Sequence, residues 1–146
     1  MRAVIQRVNY ATLSVDKKEV SKIGKGFMIL LGIHINDTEK EAKYIADKIT
    51  KLRIFEDENE RMNLSAGQIG GEFLLVSNFT LYGNTKGTNR PDFINAARPE
   101  KAEPLYEMVA KLLNEQIPTK TGIFGADMKI DMQADGPVTI VIDTEI

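Results

Sequence analysis

The 146-residue chain contains no cysteine, which excludes disulfides, thiolate-bound metals and a cysteine nucleophile. Histidine is nearly missing too. The single one, His34, follows the apolar run FMILLGI and precedes a helix cap, a place where a lone histidine reads as solvated rather than catalytic. No acidic pair shares helical spacing with it, so no metal-ligand set is expected. Neither a phosphate loop, nor a dinucleotide fingerprint, nor a GxSxG nucleophile elbow occurs. The longest apolar stretch, Phe27 to Ile33, is far too short to span a bilayer. The opening MRAVIQRVNY lacks the apolar core of a signal peptide. A soluble, cytoplasmic protein is expected, with no cofactor and no membrane partner. A large positive charge is also lacking: 19 basic residues face 21 acidic ones, for a net charge of -2. Nucleic acid can therefore be met only through a local patch.

What is present reads as a strand-rich α/β domain spanning residues 1–146. Period-two alternation over 2–8 and 10–16 predicts two paired strands. Gly24 and Gly26 mark a turn before FMILLGI, an apolar run suited to a strand covered on both faces. Thr38 and Glu41 have capping-box spacing, and Ala42, Ile45, Ala46, Ile49 and Leu52 form one helical stripe. Short strands are expected at 53–55 and 62–64, around a solvated DENE turn. Gly70-Gly71 then introduces the strand EFLLVSNFTL, followed by a loop from Tyr82 to about Arg98. A second helix begins near Pro99 and buries Leu105, Met108, Val109, Leu112 and Leu113. Pro104 is compatible with it only near the first turn. Two last strands are expected at 123–132 and 137–143.

Two places invite a functional reading. Ser77-Asn78-Phe79-Thr80-Leu81 brings polar groups out where an apolar strand ends, a position at which a rigid core fixes the backbone. The plainer alternative is an alternating strand end whose hydroxyls satisfy backbone groups. Gly136-Pro137 stands at the threshold of the final strand, where an ordinary turn is the simplest account.

In order along the chain stand RAVIQRV, RIFEDENERMNLS, SNFTL, NRPDF, TGIFGADM and DGPVT. This series resembles the D-aminoacyl-tRNA deacylases over nearly the full length. Two positions depart from the family pattern: Asn78 replaces a usual glutamine, and Ala134 a usual asparagine. The resemblance implies mixed sheets forming a barrel-like core, two main helices packed outside it, and a homodimer. It implies hydrolysis of the ester between a D-amino acid and tRNA, so the partner is a tRNA acceptor end carrying a D-amino acid or glycine. It places catalysis at Ser77, Phe79 and Thr80, with Asn78 in support. A cis Gly136-Pro137 dipeptide, helped by Arg7, would enter the other subunit's pocket and shut out L-amino acids. Phe124 and Met128 are candidates for packing the terminal adenosine, because aromatic and thioether groups suit a base face; core packing is their alternative. Lys86, Arg90, Arg98 and Lys101 are candidates for the basic patch, or simply solvated. No base accompanies Thr80, so substrate-assisted attack by water is expected, with N–H groups near Phe79 and Thr80 facing the oxyanion. The competing class is a non-catalytic dimeric RNA-binding or scaffold module.

Overall fold

Where two paired strands were expected at the N-terminus there is one, β1 (Arg2–Val15). Nothing at Asn9-Tyr10 turns the chain; instead, β1 changes partners along one edge. β2 (Lys18–Ile23) pairs with its residues 11–15 and β3 (Gly26–Gly32) with residues 2–8, both antiparallel. β2 escaped the sequence reading because its inward residues are Ser21 and Ile23, which do not alternate as apolar. The computed structural model describes residues 1–145.

β6 (Glu72–Ser77) lies parallel to β3, and β7 (Thr119–Thr121) parallel to β6. β3 is thus flanked on both edges and buried along almost its whole length, as its apolar run requires. β7 meets β2 through side chains rather than a ladder. Ser21 Oγ donates to Thr121 O at 2.5 Å, and Lys120 Nζ donates to Lys22 O at 2.6 Å. The result is a nearly closed, barrel-like sheet. Val8, Leu13, Met28, Leu74 and Val76 fill its interior. A larger core lies outside, where Ile5, Ile29, Leu31 and Phe73 meet the two helices.

α1 (Glu39–Lys51) begins with the expected capping box. The Thr38 N–H donates to Glu41 Oε2 at 2.7 Å, and Ala42, Ile45, Ala46 and Ile49 are buried. α2 (Pro99–Asn114) carries Pro104 in its second turn rather than its first. The missing N–H leaves the carbonyl of Glu100, an exposed residue, without its intrahelical donor. The strand expected at 53–55 is shifted to β4 (Phe55–Glu56), which pairs with β5 (Met62–Leu64). No helix among the described residues is long and apolar enough to cross a membrane.

The end of the chain differs most from expectation. Residues 123–128 are loop, and a single strand, β8 (Lys129–Asp143), follows the free edge of β1. Gly136-Pro137 lies inside that strand. Gln6 pairs with Thr139 and Val8 with Ala134, so Arg7 alone faces the four residues between them. The dipeptide therefore sits on a wide bulge, one of the few places a strand tolerates proline, and its peptide bond is cis.

Candidate active site

β6 does not continue through Leu81 as expected. Asn78 ends the β3–β6 ladder: its N–H makes the last rung, donating to Leu31 O at 2.8 Å, and its side chain caps a 3-10 turn, Phe79–Tyr82. Asn78 Oδ1 accepts from the Thr80 N–H at 3.2 Å and from the Thr80 hydroxyl at 2.5 Å. The hydroxyl proton is thus held by an amide, which is not a base. The Thr80 N–H is engaged as well. The Phe79 N–H, without a partner among the described residues, is the donor this turn leaves free.

Ser77 to Thr80 form one wall of a cavity of about 720 Å³ at the barrel mouth. Leu30, Val76 and Ile130 line it from the barrel side, Ala96 to Pro99 face the turn, and Phe124 to Met128 complete it. Both adenosine candidates are therefore in the cavity, and both also pack. Phe124 tilts against Tyr106 at 5.8 Å, and Met128 packs on the barrel interior. Phe79 is 56% exposed and meets Phe93 edge-on at 5.0 Å. Arg98 lines the cavity, but Lys86 and Arg90 lie on the exposed loop beyond it, and Lys101 Nζ donates to Ile35 O. Asp127, the carboxylate of the lining, has both oxygens 3.2 Å from Lys129 Nζ. A smaller cavity of about 450 Å³, between α1 and the end of α2, contains none of the site residues expected from sequence.

Arg7 stands directly behind the bulge and is only 5% exposed. Its Nη1 donates to Ile54 O at 2.7 Å, and its Nε lies 3.2 Å from Asp135 Oδ2. The second contact is an ion pair off the N–H direction, since Nε has no hydrogen-bond partner among the described residues. Gly136 and Pro137 are exposed. Within one chain they do not reach the cavity. The register runs from Arg7 to Phe27 to Phe73, four residues before Ser77, which is about 13 Å along the strands and about 10 Å across them.

His34 lies outside the cavity and is not solvated as expected. Its Nε2 is 3.1 Å from Glu145 Oε1, its Nδ1 accepts from the Asn36 N–H at 3.1 Å, and its ring meets Tyr82 edge-on. The backbone beside it does shape the site. Ala97 N donates to Ile33 O at 2.9 Å and Ile35 N to Asn95 O at 3.0 Å, which holds the Ala96-Ala97 wall, a feature the sequence reading missed. Burial pushes the Tyr106 phenol up to about 12, and its hydroxyl donates to Leu75 O at 2.8 Å, just before the site strand ends. Among the described residues, no three potential metal-binding groups cluster together.

The family described as D-Tyr-tRNA(Tyr) deacylase matches residues 4–143. The chain belongs to that family. A D-aminoacyl-tRNA deacylase of Fusobacterium nucleatum is 52% identical over 146 residues, covering 99% of this chain and 97% of its own. One from Limosilactobacillus reuteri is 51% identical over 144 residues, covering 98% and 99%. Among solved structures, the c-Myc DNA unwinding element binding protein superposes with a TM-score of 0.93 at 40% identity, covering 99% of both chains. A probable eukaryotic D-amino acid tRNA deacylase, at 16% identity, shares the fold with a TM-score of 0.82 over 97% of both chains. The deacylase match spans both the Ser77–Thr80 turn and the Gly136-Pro137 bulge. Asn78 caps the turn with its short side chain. Ala134 pairs with Val8 at the edge of the bulge.

Proposed function

We propose that this protein hydrolyses the ester bond of D-aminoacyl-tRNA, releasing the free D-amino acid and tRNA, and that the cavity at the barrel mouth receives the aminoacylated end. The observation that carries this reading is family membership over nearly the whole chain, with the Ser77–Thr80, Ala96–Arg98 and Phe124–Met128 segments meeting in one cavity. The adenosine packs against Phe124 and Met128, and Arg98 at the rim faces the phosphates. A footprint limited to the acceptor end reconciles a net acidic chain with an RNA substrate.

The working unit in this reading is a homodimer. Gly136 and Pro137 are exposed and lie far from their own cavity, so only a second copy can bring them to it. β8 offers an unpaired edge with Val141 60% and Met132 37% exposed, surface that a partner would cover. In the assembled site the Gly136 and Pro137 carbonyl oxygens accept hydrogen bonds from the substrate α-ammonium. With ammonium and ester both held, an L side chain is directed into backbone and a D side chain outward. Discrimination then comes from a penalty on the wrong hand, tenfold for about every 1.4 kcal/mol. Such a filter does not grip the D side chain and also admits glycine, so glycyl-tRNA is a substrate.

Water attacks the ester carbonyl, aided by the neighbouring ribose hydroxyl, and the Phe79 N–H faces the oxyanion that forms. One donor of that kind contributes on the order of 10²–10³ in rate. Ser77 and Thr80 shape the turn that presents it. Incubation with D-Tyr-tRNA and L-Tyr-tRNA tests the reading: rapid loss of the D ester alone is expected. Equal persistence of both esters would favour a non-catalytic RNA-binding or scaffold module. Sedimentation of the protein should give twice the chain mass.

A further inference from the structure

The 3-10 turn that carries Phe79 is only four residues long and lies at the surface, so something must hold it. Asn78 anchors its start. At its end, the Leu81 carbonyl is a terminal group with no partner inside the turn, and Arg2 Nη1 donates to it at 2.7 Å. The guanidinium is itself fixed. Its Nε donates to Asp143 Oδ2 at 2.7 Å, and its carbon lies 4.6 Å from the centre of the Tyr82 ring. The Asp143 side chain is 4% exposed. Sheet register brings these groups together, since Arg2 pairs with Gly32 on one side and Asp143 on the other. Beneath the turn, a Cβ on Gly32 would lie 3.0 Å from Leu81 Cβ and 3.2 Å from Asn78 O, so the turn seats directly on β3.

We infer that Arg2, locked by Asp143, is a positioning residue that sets the Phe79 N–H at the angle deacylation requires. It does not line the cavity and acts only through the turn. Arginine suits this task because its planar fork serves a carboxylate and a carbonyl together, which a lysine ammonium on a flexible stem does not. The inference rests on the proposed deacylase activity, because the N–H it orients matters through that reaction. A displacement of about 1 Å at such a group costs on the order of 10² in rate.

The test uses Arg2→Met, Arg2→Lys, Asp143→Asn and the Arg2→Met/Asp143→Asn double variant of the full chain. Rates with D-Tyr-tRNA are corrected for the folded fraction, and amide exchange is followed at Thr80 and Gly83. Arg2→Met is expected to lower kcat by about 10- to 100-fold with KM within twofold. Arg2→Lys should restore part of kcat, and the double variant should be no worse than Arg2→Met alone. Exchange at the two amides should quicken more than elsewhere in the chain. A lower melting temperature with unchanged kcat and unchanged local exchange would overturn the inference, because Arg2 would then serve stability alone. If the wild type hydrolyses no D ester while Arg2→Met still loosens the turn, the deacylase reading fails and the positioning contact stands.

Discussion

Replacing Thr80 by valine removes one hydroxyl at nearly constant shape, and the outcome separates two accounts of the chemistry. In the structure the hydroxyl donates to Asn78 Oδ1 at 2.5 Å, and Thr80 is exposed. An exchangeable hydrogen bond of this kind contributes about 0.5–1.5 kcal/mol. If all of that is felt in the transition state, Thr80→Val slows hydrolysis by about 2- to 13-fold. Loss of a true nucleophile costs on the order of 10⁶. The assay is single-turnover hydrolysis of D-Tyr-tRNA with enzyme in excess, which separates chemistry from product release. Asn78→Ala is the companion variant, because Asn78 holds both the hydroxyl and the Thr80 N–H. Loss of such a cap costs about 0.5–2 kcal/mol, or about 2- to 30-fold. Positioning therefore ranks Asn78→Ala as equal to or worse than Thr80→Val. A fall beyond about 10³ for Thr80→Val, with substrate binding intact and Asn78→Ala milder, would refute this reasoning and make Thr80 the nucleophile.

Four further outcomes follow from individual contacts. Asp127→Asn should leave the single-turnover rate within about threefold, since the carboxylate is exposed and paired with Lys129 rather than aimed as a base; a loss of 10²-fold or more would make it one. Tyr82 is 5% exposed with a hydroxyl that has no partner among the described residues, so Tyr82→Phe should add about 1 kcal/mol and raise the melting temperature by about 4 °C; a drop would show that the hydroxyl is satisfied. Gly136 has φ +116°, and a Cβ there would lie 2.8 Å from Val138 Cγ2, so Gly136→Ala should cost about 1–3 kcal/mol in a thermal melt and slow D-ester hydrolysis, whereas wild-type behaviour in both would remove the bulge from the site. Burial works against the charge of Asp143, but the Glu145 N–H and the Arg2 guanidinium outweigh it and hold the carboxyl below its ordinary value. Its stabilising contribution is complete above about pH 3.9, the unfolded value, and is lost as pH falls through the lower folded one. Melts of Asp143→Asn and wild type should differ at pH 7, and the difference should shrink as pH falls below about 3.9.

The parts of the fold that were legible are those whose signal is local. The Thr38–Glu41 box and the stripe from Ala42 to Ile49 mark α1 without reference to anything else, and Pro99 marks the start of α2. FMILLG reads as a buried strand because the barrel interior covers one of its faces and the helical layer the other. Signals failed where a segment answers to two surroundings at once. β1 faces β3 with one half and β2 with the other, so its pattern shifts near Asn9 and looks like two strands. β2 turns Ser21 inward to donate to Thr121 O, which hides its period. Phe79 and Leu81 continue the alternation of β6, yet the Asn78 side chain competes for the backbone there and bends it into a 3-10 turn. Asparagine is a preferred cap, and that was the available clue.

The candidate site divides along the same line. Ser77 to Thr80, Phe124 and Met128 come from two separate segments, yet they meet in one cavity because β6 and the 124–128 loop both end at the barrel mouth. Arg7 and Gly136-Pro137 meet as well, but at the other end of the sheet, where one residue of β1 faces four of β8. On the proposed reading, a single chain thus holds two half-sites apart along the sheet. A bulge whose Gly136 and Pro137 are exposed, backed by a buried arginine, has little to do for its own fold. A cavity lined by a free N–H, a capped threonine and a paired carboxylate has donors and walls but little to hold an ammonium against one hand of substrate. Each half lacks what the other offers. In the proposed homodimer, two-fold pairing would supply both at once, in duplicate, and the assembly state is therefore the property on which the stereochemical reading stands.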